Sequence, residues 1–151
     1  MQRFTLTIMF SGLLSILLLA TASLAAESSR DPVQDDAAEI RALQQERIAA
    51  LTGVVQILLE HYRHGNVDFR TLALAQTDLL AAQFDATDDA KERIALLERQ
   101  LKVASEALES AVRKVEAGRA NEVESLQAKA QVLDIKIKLL RERGKLKAAA
   151  R

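Results

Sequence analysis

The sequence predicts an all-α protein, and its composition carries that prediction. Apolar residues make up 49% of the 151 residues, but only 3% are aromatic, so the apolar content is mostly Ala, Leu, Val and Ile, as in helices that pack on helices. Five glycines and one proline are too few for the turns of an all-β or α/β fold. The length predicts one domain, and the formal net charge of zero gives no overall attraction to nucleic acid.

The first 25 residues are predicted to be a signal peptide. Arg3 supplies a positive charge, Phe4–Ala20 is an apolar run, and Ser23 and Ala25 place small residues before a cleavage site. The alternative is an uncleaved anchor, because Phe4–Ala26 is long enough to span a bilayer. Polar residues within the run favour cleavage. We therefore expect the protein in the periplasm or cell envelope, with outer-membrane association open.

After a polar linker at residues 26–34, the sequence predicts a helical coiled-coil domain over residues 35–144 and a basic tail over 145–151. Its apolar residues recur with alternating steps of three and four, which is the spacing of one helix face. The stripes are Ile48, Leu51, Val55, Leu58 and Tyr62 in the first helix, Ile94, Leu97, Leu101, Ala104, Leu108, Ala111 and Val115 in the second, and Val123, Leu126, Ala130, Leu133, Ile137 and Leu140 in the third.

The length of the middle helix decides the predicted topology. No Gly or Pro interrupts residues 66–117, which favours one long middle helix and an elongated antiparallel coiled coil of three helices. A break near Asp85–Asp89, where Thr87 or Asp88 offers an N-cap, is the alternative. That break predicts a four-helix bundle instead.

The chain contains an internal repeat with an offset of 53 residues, since HYRHGNVDFRTLALAQ at 61–76 aligns with KVEAGRANEVESLQAK at 114–129. Gly65 aligns with Gly118, and each glycine is suited to end a helix. Asp68 aligns with Asn121, and each is suited to cap the helix that follows. We interpret the pattern as a duplicated helix–turn–helix.

These two stretches resemble the periplasmic helical-hairpin turns of TolC-like outer-membrane efflux proteins, over Tyr62–Gln76 and Val115–Lys129. In that family the turns lie at the tip of a helical tunnel and meet the adaptor protein of an efflux pump. The barrel strands of the family have no counterpart in this chain, and a continuous middle helix points the two turns in opposite directions. The resemblance implies a partner-binding role for the turn residues, which are Gly65, Asn66, Val67, Gly118, Arg119 and Ala120.

The function predicted from the residues and the resemblance is that of an exported, non-enzymatic helical protein that binds envelope partners or associates with itself. No catalytic constellation or cofactor motif is evident, so we expect no enzyme, cofactor or small-molecule substrate. His61 and His64 are weak metal candidates one helical turn apart, but zinc sites use three or four protein ligands, so we expect no metal.

Two alternatives to that function stay open. One is a structural coiled-coil scaffold, and the other is a small periplasmic stress- or metal-responsive protein of the CpxP/Spy type. Proteins of that type carry Leu-Thr-x-x-Gln motifs, whereas the segment Leu51–Gln56 has one residue too many.

The signal-peptide prediction has a direct test. We expect the exported protein to begin at or within a few residues of Ala26, because the apolar run ends there in small residues. N-terminal sequencing of the exported protein measures this, and an intact Met1 would establish the anchor instead.

Overall fold

The computed structural model describes residues 32–150, with side chains from residue 36 onward, and every element in that range is helical. The prediction of an all-α fold is confirmed. The elements are α1 (Pro32–Arg63), α2 (Phe69–Ala86), α3 (Ala90–Glu116) and α4 (Glu122–Ala149). The predicted signal peptide and most of the linker lie outside the described residues, and packing is described below for residues 38–150. Within residues 32–150 no helix has the length and apolarity needed to cross a membrane.

The predicted long middle helix is wrong, and the alternative break near Asp85–Asp89 is the observed arrangement. Thr87 leaves the helical conformation, with φ −116° and ψ 137°. Asp89 then caps α3 by accepting a hydrogen bond from the backbone N–H of Glu92 at 2.7 Å, and the Thr87 hydroxyl donates to the Glu92 carboxylate at 2.6 Å. The N-cap of α3 is therefore Asp89 rather than the predicted Thr87 or Asp88, and the chain breaks here without any glycine or proline.

The hydrophobic core lies along α3, which packs closely against α2 on one side and α4 on the other. Leu97 and Ala104 of α3 are buried against Val132, Ile135 and Leu139 of α4. The predicted apolar stripe of the middle helix thus supplies the α3 side of the core, because Ile94, Leu101 and Leu108 also pack against it.

The fourth helix differs from its prediction in two ways. Its predicted stripe, from Val123 to Leu140, is exposed at all six positions, and the buried residues Val132, Ile135 and Leu139 form a second line. At 3.6 residues per turn the two lines lie on opposite faces of the helix, about 180° apart. The helix also continues through Gly144 to Ala149, so the predicted basic tail is helical as far as that residue.

The first helix lies along α2 through side chains rather than through close backbone packing. Gln44 donates to the backbone carbonyl of Asp85 at 3.0 Å, Arg47 pairs with the Asp85 carboxylate at 3.1 Å, and the rings of Tyr62 and Phe69 are 5.9 Å apart. The predicted stripe from Ile48 to Leu58 is half-buried. No described residue of α1 is fully buried, and apolar side chains on its flank are exposed.

Two glycines end α1 and α3 in the left-handed conformation. Gly65 has φ 73° and Gly118 has φ 67°, and they are the positive-φ residues of the described chain. The open space around both positions holds no atom within 4 Å of an added Cβ. Any cost of a side chain at either position therefore comes from the backbone conformation alone.

We expect Gly118→Ala to lower the free energy of unfolding by about 1 kcal/mol or more, because alanine avoids the left-handed region. Gly53→Ala is the matched control, since Gly53 lies inside α1 and also has no atom within 4 Å of an added Cβ. It should raise that free energy by about 0.5–1 kcal/mol. Urea denaturation of both variants measures the two changes, and equal signs would contradict the turn geometry.

Candidate functional site: the paired turns

The two repeat turns have the same backbone hydrogen bonds. In the first turn the N–H of Gly65 donates to the carbonyl of Tyr62 at 3.0 Å, and the N–H of Asn66 donates to the carbonyl of His61 at 2.8 Å. The same two bonds recur 53 residues later, at 2.9 Å and 2.8 Å. This is the Schellman pattern, in which a left-handed glycine satisfies the last carbonyl groups of a helix.

The caps that follow the turns also match. A carboxylate oxygen of Asp68 accepts from the backbone N–H of Thr71 at 3.0 Å, and the amide oxygen of Asn121 accepts from the backbone N–H of Glu124 at 3.2 Å. Stop, turn and cap therefore repeat in structure as they do in sequence, which is the arrangement expected of the two repeat units.

The two turns lie at the same end of the helical unit, which corrects the expectation that they point in opposite directions. The reason is the break at Thr87–Asp89, which makes α2 and α3 antiparallel. Lys114, near the end of α3, pairs with the α2 cap Asp68 at 3.0 Å. Arg70 reaches from α2 to Glu124 of α4 at 3.4 Å. We call residues 64–68 and 117–121 together the turn end.

Asp68 is held ionised at the centre of the turn end. Its pKa is lowered from 3.8 to about 2, first by the hydrogen bond from the Thr71 backbone and further by hydrogen bonds from Lys114 and the Thr71 hydroxyl, while partial burial opposes the change. The side chain of Asp68 remains 46% exposed. This carboxylate therefore caps α2 and, through Lys114, joins the two turns at neutral pH.

The predicted site residues fall into two matching sets. Asn66 and Arg119 are exposed at equivalent positions of the repeat, beside the exposed glycines, and Val67 and Ala120 are half-buried at the next positions. Each turn thus presents a polar tip beside a small apolar surface. Such a surface suits contact with another protein, where polar rims surround apolar contacts.

A groove of about 240 Å³ lies between α2, α3 and α4, close to the turn end. Its lining includes four alanines and the charged residues Arg70, Lys114 and Glu124. The two cations are already paired with Glu124 and Asp68, and the groove is smaller than the roughly 300–1,000 Å³ of typical ligand sites. This groove was not predicted from the sequence. Alanines at neighbouring positions of adjacent helices are the sequence signal for such a space.

The weak metal candidates lie beside the first turn. His61 and His64 are exposed side chains near the end of α1. Among residues 36–150 no three His, Cys, Asp or Glu side chains are grouped so that they could hold a metal ion.

A buried carboxylate that was not predicted from the sequence lies far from the turn end. Glu142 of α4 is only 7% exposed and lies 3.5 Å from the guanidinium of Arg93, which in turn stacks 4.0 Å above the ring of Phe84. The pKa of Glu142 is lowered, first by a hydrogen bond from Lys145 and further by Arg93. Its position on the face of Ile135 and Leu139 is the signal that could have predicted its burial.

Comparisons with known proteins assign no relative to this chain. No protein-family model, no curated protein and no solved structure matches it. The likeness to TolC-like hairpins therefore stays an interpretation of the turn residues themselves.

The pKa of Asp68 predicts an acid-dependent loss of stability. A carboxylate with a lowered folded-state pKa stabilises the fold above its ordinary pKa of 3.8 and loses that effect as the pH falls towards about 2. We expect wild type to be more stable than Asp68→Asn at pH 6, because asparagine still caps α2 but cannot pair with Lys114. The difference should shrink steadily below pH 4 in denaturation experiments, and a pH-independent difference would contradict the assigned role.

Proposed function

We propose that the protein is an exported, non-enzymatic helical protein that binds another protein of the cell envelope through its turn end. The observation that carries the proposal is the juxtaposition of the two repeat turns, which are joined by the pair between Asp68 and Lys114 at 3.0 Å. The duplicated turn motif thus occurs twice at one end of the helical unit, and the two copies form one surface there.

The geometry of the turns supports a role in recognition. Both tips are fixed by two backbone hydrogen bonds and a side-chain cap, so little conformational freedom is left to lose when a partner binds. Preorganised surfaces bind more tightly for this reason. The turns are held by the backbone N–H groups of Asn66 and Arg119. The exposed side chains of these two residues can therefore donate hydrogen bonds to a partner.

The ionisation of the described carboxylates supports a non-enzymatic role. The two shifted groups, Asp68 and Glu142, both have lowered pKa values because cations and hydrogen bonds stabilise their charged forms. General acid–base catalysis near neutral pH uses carboxyl groups with raised pKa values. These two carboxylates are therefore suited to holding helices together rather than to moving protons.

The resemblance to TolC-like hairpins suggests the class of partner. In that family the corresponding turns meet the adaptor protein of an efflux pump, so an adaptor or a related envelope protein is the expected partner. The predicted signal peptide is consistent with a partner in the cell envelope, because such a peptide directs a chain out of the cytoplasm.

The proposal is tested by substitutions at the tips that leave the fold intact. We expect Asn66→Ala and Arg119→Ala, at exposed positions, to change the free energy of unfolding by no more than about 0.5 kcal/mol, and Val67→Ser and Ala120→Ser, at half-buried positions, by no more than about 1 kcal/mol. Each should nevertheless reduce the amount of envelope partner recovered after cross-linking and affinity purification.

Asp88→Ala is the matched control for the tip variants, since Asp88 is an exposed residue of the connection between α2 and α3, at the opposite end of these helices. It should retain the partner. If all four tip variants retain every cross-linked partner, the turns are connectors only, and a coiled-coil scaffold becomes the better interpretation.

A further inference from the structure

The face of α4 that points away from the core carries a continuous apolar line. We call it the outer stripe, and it consists of Val123, Leu126, Ala130, Leu133, Ile137 and Leu140. The five large side chains are between 48% and 66% exposed. Single exposed apolar residues are ordinary on a protein surface, but a contiguous line of them indicates an interaction site.

The spacing of the outer stripe is that of a coiled-coil seam. Its residues alternate steps of three and four over more than two heptads, and that period keeps the line facing one neighbouring helix along its whole length. The opposite face of α4 is already buried against α3 through Val132, Ile135 and Leu139. A helix that is apolar on two opposite faces fits between two partners, and the described residues supply one of them.

We propose that the outer stripe binds the outer stripe of a second copy of this chain, with the two α4 helices antiparallel. This contact is separate from the turn end and does not depend on the proposed function. An interface of this kind uses the same patch on both copies around a two-fold axis, so it closes as a dimer.

Side-chain volume favours the antiparallel arrangement. When Ala130 lies opposite Leu133 of the second copy, Leu126 lies opposite Ile137 and Val123 lies opposite Leu140, so all six stripe positions are filled. The smallest residue then meets a large one, as close packing requires. A parallel pair sets each residue against itself, and two Ala130 side chains leave a void in the seam.

Charge favours the same arrangement at the ends of the helix. The first turn of α4 is acidic, with Glu122 and Glu124, and its last third is basic, with Arg141, Arg143, Lys145 and Lys147. Antiparallel pairing brings Glu122 beside Arg143 of the second copy, whose guanidinium also contacts Glu98 of its own chain at 2.7 Å, and it sets the two helix dipoles antiparallel. A parallel pair instead places the two basic ends together.

The centre of the antiparallel pair gains nothing from charge. The same register sets Lys129 beside Lys136 of the second copy, and these like charges oppose each other. Affinity must therefore come from the apolar seam, and the charges at the two ends set its direction.

The first test is the mass of the full chain in solution. We expect sedimentation equilibrium at micromolar concentration to give twice the mass of the single chain, which is 16.6 kDa before removal of the predicted signal peptide. The double variant Leu133→Lys, Ile137→Lys should keep the circular dichroism spectrum of wild type, because both positions are exposed in the single chain. Its dimer affinity should fall by at least about 100-fold, since each chain would bring two charges into the seam, four in all.

Ile57→Lys is the control, because Ile57 is an apolar residue of α1 with 61% exposure that lies outside the stripe. It should remain dimeric. A monomeric wild type would overturn the proposal, and so would a double variant that stays dimeric, since the contact would then lie elsewhere, for example in the apolar residues 4–20. Dissociation of Ile57→Lys would likewise overturn the assignment to α4.

The second test measures orientation, and the absence of cysteine from the chain makes it unambiguous. A mixture of Val123→Cys and Leu140→Cys chains should form a disulfide between the two variants, because the bond needs Cα atoms within about 7 Å. Leu140→Cys alone should form none, since antiparallel pairing places the two copies of position 140 about 25 Å apart along the helices. A disulfide in Leu140→Cys alone would overturn the antiparallel arrangement.

Discussion

The hydrogen bond from the Glu92 backbone to Asp89, at 2.7 Å, is the interaction on which the rest of the helical unit depends. This hydrogen bond begins α3 after a connection of only three residues, 87–89, and the chain reverses its direction there. The reversal lays α3 along α2 and returns the second turn to the level of the first. Without it the core of α3 and α4 would extend beyond α2, and Lys114 would lie far from Asp68. The cap and the packing of α2 against α3 therefore support each other, and together they set the position of the turn end.

The parts of the fold that local chemistry specifies could be predicted from the sequence. The left-handed glycines at 65 and 118 and the caps at 68 and 121 are each determined within a few residues, and the structure has all four. The cap at Asp89 was harder to predict, because no Gly or Pro marks the break and the side chains of Thr87, Asp88 and Asp89 all suit an N-cap. The packing of α2 against α3 decides whether and where the helix breaks, and that contact is not local.

The position of the core on α4 could not be predicted for a related reason. Two lines of apolar residues with the same three-and-four spacing run along this helix, and periodicity alone ranks them equally. The line from Val123 to Leu140 is the richer in large residues, yet α3 packs against the line that contains Val132, Ile135 and Leu139. That line also includes Glu142, whose burial depends on the guanidinium of Arg93 from the neighbouring helix. A buried charge is stable only with its partner in place, so the choice belongs to tertiary structure.

The way α1 is attached has a consequence for the order in which the protein opens. None of the described residues of α1 is fully buried, and the helix is attached by its half-buried apolar stripe, by two polar contacts with Asp85 and by one aromatic contact at Phe69. Segments with few buried apolar contacts detach at a lower free energy than the global unfolding reaction. We therefore expect the first helix to detach as a segment of its own, so that its amide protons exchange with solvent faster than those of α3. Its release uncovers the sides of α2 and α3 that it shields, without disturbing the core between α3 and α4.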